Sequence, residues 1–356
     1  MPAHFDETTK TWYVKCYYTD YTGTKRQRKK RGFKLQRDAK EWERNFLETQ
    51  QADPTMTYEN FIEIYLEDMG HRLRKYTMLQ KTKLIRLYLL PYFGKLALSD
   101  ITPAHIRKWQ NEVIAHHTAS GEALAPTTLK TINNQLSATM NYAVRYYGLK
   151  ANPCHLAGSM GKCRAEEMNF WTLDEFKRFL VIVSSDPQAR AGFMTLYYTG
   201  IRIGELLALE YSDIDFKGCT ISVSKSCQRI KGNDIITPPK TPGSVRTISI
   251  PEFLRDELKE YTGRIYGLGK HDRIFPCTRD FFRYHMRIAA KDGDIKKIRI
   301  HDLRHSHASL LIELGFSPLA IADRLGHDKV ETTLNVYSHI FPHKRDEVAE
   351  KLQSLK

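Results

Sequence analysis

The chain has 356 residues, 41 % of them hydrophobic, which is enough for ordinary cores in roughly two to three domains and excludes a disordered polypeptide. Lys and Arg outnumber Asp and Glu by 55 to 41, a formal net charge of +14, so a polyanionic partner is expected, nucleic acid first. The cysteines at 16, 154, 163, 219, 227 and 277 form no C-x-x-C pair, which argues against a disulfide framework or a zinc site. The N-terminus shows no export signal, and runs such as 179–183 fall far short of the ~20 apolar residues of a membrane span, so a cytosolic protein without membrane contact is expected.

Residues 1–50 begin with an aromatic, β-branched run at 12–18, a Gly-containing turn at 21–24, and a second strand from Lys25 to Phe33. A helix over 36–50 follows, with Ala39, Trp42, Phe46 and Leu47 on one side. Eight basic residues and no acid stand between positions 25 and 37, and Lys25, Arg26, Arg28, Lys29, Lys30 and Arg31 fall on the strand itself. Aromatics frame this run, which favours a small folded sheet whose basic face enters a DNA groove over a solvated arm. After a linker at 50–55, residues 57–155 are predicted to be helical. Thr57 caps a helix that buries Phe61, Ile64, Tyr65 and Leu66. Thr102 and Pro103 open another through Ile106, Trp109 and Val113. Residues 126–147 set Leu129, Ile132, Leu136, Met140 and Ala143 on one face before a stop at Gly148. The stretch 155–169 reads as a second linker.

The third segment, 170–356, starts with a capping box, TLDE at 172–175. Strands are expected at 219–223 and 246–250, separated by a polar, Pro-rich excursion, and helices from 251 onward. The fold class is thus multidomain α+β: a small N-terminal sheet with a helix, an all-α bundle, and a mostly helical domain with one small antiparallel sheet.

Four patterns in this segment gather phosphate-binding and proton-transfer groups. TGIRIGELLAL at 199–209 sets Arg202 in a first helical turn with Glu205 on the same face; alone, such a pair is an ordinary surface ion pair. PKTPGSVR at 239–246 places Lys240 in a turn of the excursion, as the tip of a hairpin. HDLRHSHAS at 301–309 sets His301 and Arg304 at i and i+3, a proton-transfer group beside a guanidinium fork matched to phosphate oxygens. His301 and His305 at i, i+4 invite a zinc reading, but no cysteine or carboxylate nearby completes a site. Finally LGH at 325–327 leaves His327 at a helix end, with Tyr337 on the next element.

Arg202, Lys240, His301, Arg304, His327 and Tyr337, in this order and with these flanking words, make the chain resemble the tyrosine recombinase (phage integrase) family. The resemblance is strongest over 170–345, and none of the six positions departs from the family pattern. It implies transesterification at a DNA phosphodiester, with Tyr337 as nucleophile forming a 3′-phosphotyrosyl bond. Arg202, Arg304 and His327 then bind the non-bridging oxygens, Lys240 protonates the departing 5′ oxygen, His301 accepts the tyrosine proton, and Glu205 supports the site. Neither a metal nor a cofactor is implied. By the same resemblance, 1–50 is an arm-type DNA-binding domain, 57–155 a SAM-like core-binding domain and 170–356 a catalytic domain with a C-terminal tail. The working form is a homotetramer on double-stranded attachment sites that exchanges strands through a Holliday junction. It would integrate and excise a prophage or conjugative transposon, with an excisionase and a host DNA-bending protein as candidate helpers. A type IB topoisomerase uses the same chemistry, and a catalytically silent DNA-binding regulator is a second alternative; the basic first segment and the motif order favour the recombinase.

Overall fold

The computed structural model describes residues 3–19, 25–50, 54–118, 121–162, 169–239, 242–292, 295–326, 330–331 and 334. The chain forms two units, Met1–Glu166 and Glu167–Lys356.

The first unit contains two separate cores. In one, β1 (His4–Asp6), β2 (Thr11–Thr19) and β3 (Lys25–Phe33) form an antiparallel sheet in that order. Sequence reading foresaw β2 and β3 but not β1, whose three residues are too few to show alternation. The helix α1 (Gln36–Gln50) lays Ala39, Trp42 and Phe46 over Val14 and Cys16. Between Trp12 and Val14 the register shifts by one residue, accommodated at Gly32, whose φ of +92° suits a β-bulge.

The second core belongs to α2 (Tyr58–Arg72), α3 (Lys75–Leu84), a π-helical turn (Ile85–Leu89), α4 (Leu90–Phe93), α5 (Pro103–Ala115), α6 (Pro126–Tyr146) and α7 (Pro153–Ala157). Thr57 caps α2 by accepting from the Asn60 N–H, and Thr102 caps α5 from His105. All five residues spaced along α6 are buried, as their period demands. On α2 the buried set is Tyr58, Phe61, Ile62 and Tyr65, while Ile64 and Leu66 are only partly covered. The expected linker at 155–169 is held to the bundle as far as residue 162. Gln110 donates to Asn133 Oδ1 and to the Gly158 carbonyl, both at 2.9 Å, and Lys130 donates to Ser159 at 2.7 Å. These polar partners were invisible to a reading that looked for apolar residues.

The second unit runs through α8 (Leu173–Ile182), α9 (Pro187–Thr199), α10 (Ile203–Leu206), β4 (Ile214–Asp215), β5 (Thr220–Val223), β6 (Ser226–Ile230), β7 (Asn233–Thr237) and β8 (Arg246–Ser249). It continues with α11 (Glu252–Gly263), α12 (Arg279–Asp292), α13 (Asp302–Glu313) and α14 (Pro318–Leu325). Thr172 and Glu175 form the expected capping box at α8. The chain pairs β4, β5 and β8 in one antiparallel sheet, and the excursion between β5 and β8 folds as a second, two-stranded sheet of β6 and β7. The turn of that hairpin is Lys231-Gly232, at φ +50° and +87°. Two positive φ values in succession define a type I′ turn, normally signalled by Asn-Gly or Asp-Gly, and the lysine concealed it. The core of this unit gathers Phe176, Phe179, Phe193 and Tyr197 from the helices, Trp171 and Phe275 from the connecting segments, and Ile221 and Ile248 from the sheet. Among the described residues no helix is long and apolar enough to cross a membrane.

Candidate active site

Helix α9 ends at Gly200, whose φ of +66° reverses the chain and sends Arg202 out ahead of α10. Only glycine fits there. A Cβ would lie 2.6 Å from His307 Cδ2 and 2.7 Å from Leu325 Cδ2. Arg202 is the N-cap of α10, in extended conformation, and not a residue of the helix. Its backbone N–H donates to Glu205 Oε2 at 3.0 Å and its Nη1 donates to Oε1 at 2.8 Å. The pair is no surface ion pair: the Glu205 side chain is 4 % exposed while that of Arg202 is 39 % exposed. A second arginine, Arg246, donates from Nη2 to Glu205 Oε2 at 3.0 Å. Burial pushes the Glu205 carboxyl up, but Arg246, the Arg202 N–H and the Arg202 guanidinium outweigh it and hold the group below the ordinary carboxylate range. Glu205 is therefore ionised and spans two guanidiniums.

The residues at 301–309 are brought to the same place by α13. Arg304 is buried, and its guanidinium donates from Nη1 to the Gly200 carbonyl at 2.8 Å and from Nη2 to the Leu325 carbonyl at 2.6 Å. His301, just before the helix, is exposed, so the two residues share a face but differ in burial. Desolvation on its protein side, reinforced by the Arg304 and then the Arg202 charge, holds the His301 imidazole below its ordinary value. The ring is neutral at pH 7. His305 stacks edge-on against His301 with centroids 5.3 Å apart, and burial together with that neighbour lowers it to about 4. Among the described residues, no group of three His, Cys, Asp or Glu side chains is placed to hold a metal ion.

The helix α14 completes this cluster. Ser317 caps its start and Gly326, at φ +67°, ends it. Three arginines tie it down. Arg246 Nε donates to the Arg324 carbonyl at 2.9 Å, Arg304 reaches the Leu325 carbonyl, and Arg324 itself donates to His307 Nε2, the Ser249 carbonyl and the Tyr198 carbonyl. Cations at a helix C-terminus also meet the negative end of its dipole.

Of the residues singled out from the sequence, Arg202, Glu205, His301 and Arg304 are thus drawn together. Lys240, His327 and Tyr337, and the tail beyond them, lie outside the described residues. Among the described residues the excursion forms one hairpin, with its turn at Lys231-Gly232, and the tip expected at Lys240 lies outside the described residues. Arg246 was missed, although a signal existed. On β8 it alternates with Ile248, which is buried, so a cation stood on a core-facing position and required an acid.

In the N-terminal sheet the basic strand divides between two faces. Arg28 and Lys30 pair with Cys16 and Val14 on the side covered by α1; Arg28 lies over Phe46 and Lys30 over Trp42, at 5.9 and 4.9 Å. Gln27 and Lys29 pair with Tyr17 and Lys15 on the other side, where Lys29 lies 4.4 Å from the Tyr13 ring. Arg31 is exposed. Lys25 and Arg26 belong to the strand, but their side chains lie outside the described residues.

Residues 169–344 match the model of the phage integrase family, 57–114 its N-terminal SAM-like domain, and 2–50 an arm DNA-binding domain. The ICEBs1 integrase of Bacillus subtilis (strain 168) is 33 % identical over 315 residues, which cover 85 % of this chain and 84 % of that one. The chain belongs to the phage integrase family. It is a site-specific DNA recombinase, and DNA is its substrate. The fold of the recombinase is likewise that of the Tn1549 transposon integrase in complex with transposon right end DNA, with a TM-score of 0.67 at 21 % identity, over 84 % of this chain and 99 % of that one. A lambda integrase tetramer bound to a Holliday junction superposes with a TM-score of 0.57 at 19 % identity, over 92 % and 96 % of the two chains.

Proposed function

We propose that this recombinase integrates and excises a mobile element by cleaving DNA through Tyr337, with Arg202, Lys240, His301, Arg304 and His327 as the other catalytic residues. Tyr337 attacks the scissile phosphorus, the 5′ oxygen leaves, and a 3′-phosphotyrosyl ester preserves the bond energy for rejoining. Arg202 and Arg304 stabilise the charge that develops on the non-bridging oxygens; preorganised donors of this kind contribute on the order of 10²–10³ in rate each. His327 adds a donor there, Lys240 delivers a proton to the 5′ oxygen, and His301 takes the proton of Tyr337. The observation that carries this reading is the convergence of two distant segments, which sets His301 within reach of the charges of both Arg304 and Arg202 and ties Arg304 to the Gly200 carbonyl two residues before Arg202.

Residues 1–50 serve as an arm-type DNA-binding domain, 57–155 as a core-binding domain and 170–356 as the catalytic domain. The face carrying Lys15, Gln27 and Lys29 is the better candidate to meet DNA, because α1 covers the other face, where Arg28 and Lys30 lie over its Phe46 and Trp42 rings. A homotetramer on paired attachment sites is the proposed working form, in line with the lambda integrase tetramer named above, and an excisionase and a host bending protein are proposed helpers.

The test is covalent trapping on a nicked duplex that carries the element's own end sequence. Wild-type protein is expected to give a slow-migrating adduct on a denaturing gel, and Tyr337→Phe to bind the duplex equally well without one. An adduct formed by Tyr337→Phe overturns the nucleophile; tight binding with no adduct from wild type points to a regulator.

A further inference from the structure

We propose that Arg246 is a positioning residue of the cleavage centre, a relay that locks Arg202 to the C-terminal end of α14. Its side chain is 8 % exposed and donates in three directions: from Nη2 to Glu205 Oε2 at 3.0 Å, from Nε to the Arg324 carbonyl at 2.9 Å, and from Nη1 to the Ser244 carbonyl at 3.1 Å. Each acceptor belongs to a different part of the centre. Glu205 holds Arg202, the Arg324 carbonyl ends the helix that leads to position 327, and Ser244 stands in the turn that follows position 240. Gly326 completes the fit, since a Cβ there would come within 3.1 Å of Arg246 Cδ and 3.2 Å of its Nη1.

The chemistry requires arginine. A planar guanidinium directs several donors along fixed, divergent lines, whereas an ammonium is a point charge on a flexible stem and cannot span three separated acceptors. Glu205 is buried and shared by two cations, so the loss of one leaves the carboxylate dependent on the other. Without Arg246, Glu205 draws the Arg202 guanidinium inward, away from an incoming phosphate, and α14 loses one of the two arginines that hold its final carbonyls.

This inference rests on Arg202 being a phosphate-binding residue, and the experiment separates the two. Single-turnover adduct formation on the nicked duplex is measured with full-length wild type, Arg202→Lys, Arg246→Lys and the double variant. Each single change is expected to lower the rate constant about tenfold or more, with DNA affinity held within about threefold. The double variant is expected to fall no more than about threefold below the weaker single, because both substitutions break one unit. Losses that multiply overturn the relay, as does a smaller adduct amplitude at the wild-type rate constant, which marks only a misfolded fraction. Wild-type cleavage by Arg202→Lys overturns the reading of Arg202 itself. Should Arg246→Lys fail to bind the duplex, Glu205→Gln cuts the same relay from its other side and is judged by the same non-additivity with Arg202→Lys.

Discussion

Gly200 combines two constraints at one residue, a left-handed backbone and a neighbour against its α-carbon. Replacement by alanine adds backbone strain to a clash with His307 and Leu325, each worth about 1–3 kcal/mol, so Gly200→Ala should lower unfolding free energy by several kcal/mol in a denaturant titration. A loss below about 1 kcal/mol would show that α9 ends differently. His301 makes a prediction of opposite character. Desolvation, Arg304 and Arg202 hold its pKa below the ordinary ~6.5, so the imidazole remains an unprotonated base further into acid. Adduct formation should therefore stay level as pH falls through 6.5 and decline only below it, and Arg202→Lys should not move that limb upward as far as a neutral residue at 202 would. An acid limb at or above pH 6.5 in the wild-type profile removes His301 as the base. The spacing of Arg202 and Glu205 was legible as an i, i+3 pair. Its burial was not, because the second cation stands at 246, beyond a hairpin.

Strand β3 shows how an element redistributes what a run of letters presents as uniform. Six basic residues follow one another with a single glutamine, yet alternation sends Arg28 and Lys30 toward the aromatic rings of α1 and Gln27 and Lys29 away from them. Lys30→Ala should consequently cost folding stability, about 0.5–1 kcal/mol for a lost cation–π contact, with a modest effect on DNA affinity. Lys15→Ala with Lys29→Ala should cost a comparable amount of stability through the lost Lys29–Tyr13 contact, and should in addition flatten the salt dependence of arm-site binding by about one logarithmic unit per phosphate contact removed. Equal salt slopes for the two variants would refute the division of faces. Helix ends were the most legible elements, since Thr57, Thr102 and Thr172 are each a hydroxyl placed before an apolar period and each caps as expected, and Ser317 caps α14 in the same way. The hairpin of β6 and β7 was not legible. Five-residue strands with one partner carry little pattern, and their turn lacks asparagine at the first positive φ.

Over the whole molecule, the N-terminal sheet with α1 and the helices of 58–157 enclose separate cores. Deleting residues 1–50 should leave cleavage of a core-type duplex within about threefold of wild type while integration in a two-plasmid assay falls by an order of magnitude or more, since only the arm-site electrostatics are removed. Full integration by the truncated protein would refute the arm assignment. By itself the sequence determined the fold class, the caps and most of the apolar faces, and it named the candidate reacting groups, because period, capping chemistry and side-chain type are local properties of the chain. Tertiary structure alone decided which charges meet. Glu205 lies between Arg202 and Arg246, and Arg304 between the carbonyls of Gly200 and Leu325. Burial and pairing arise from contacts across many tens of residues, and no local pattern in the chain encodes that distance.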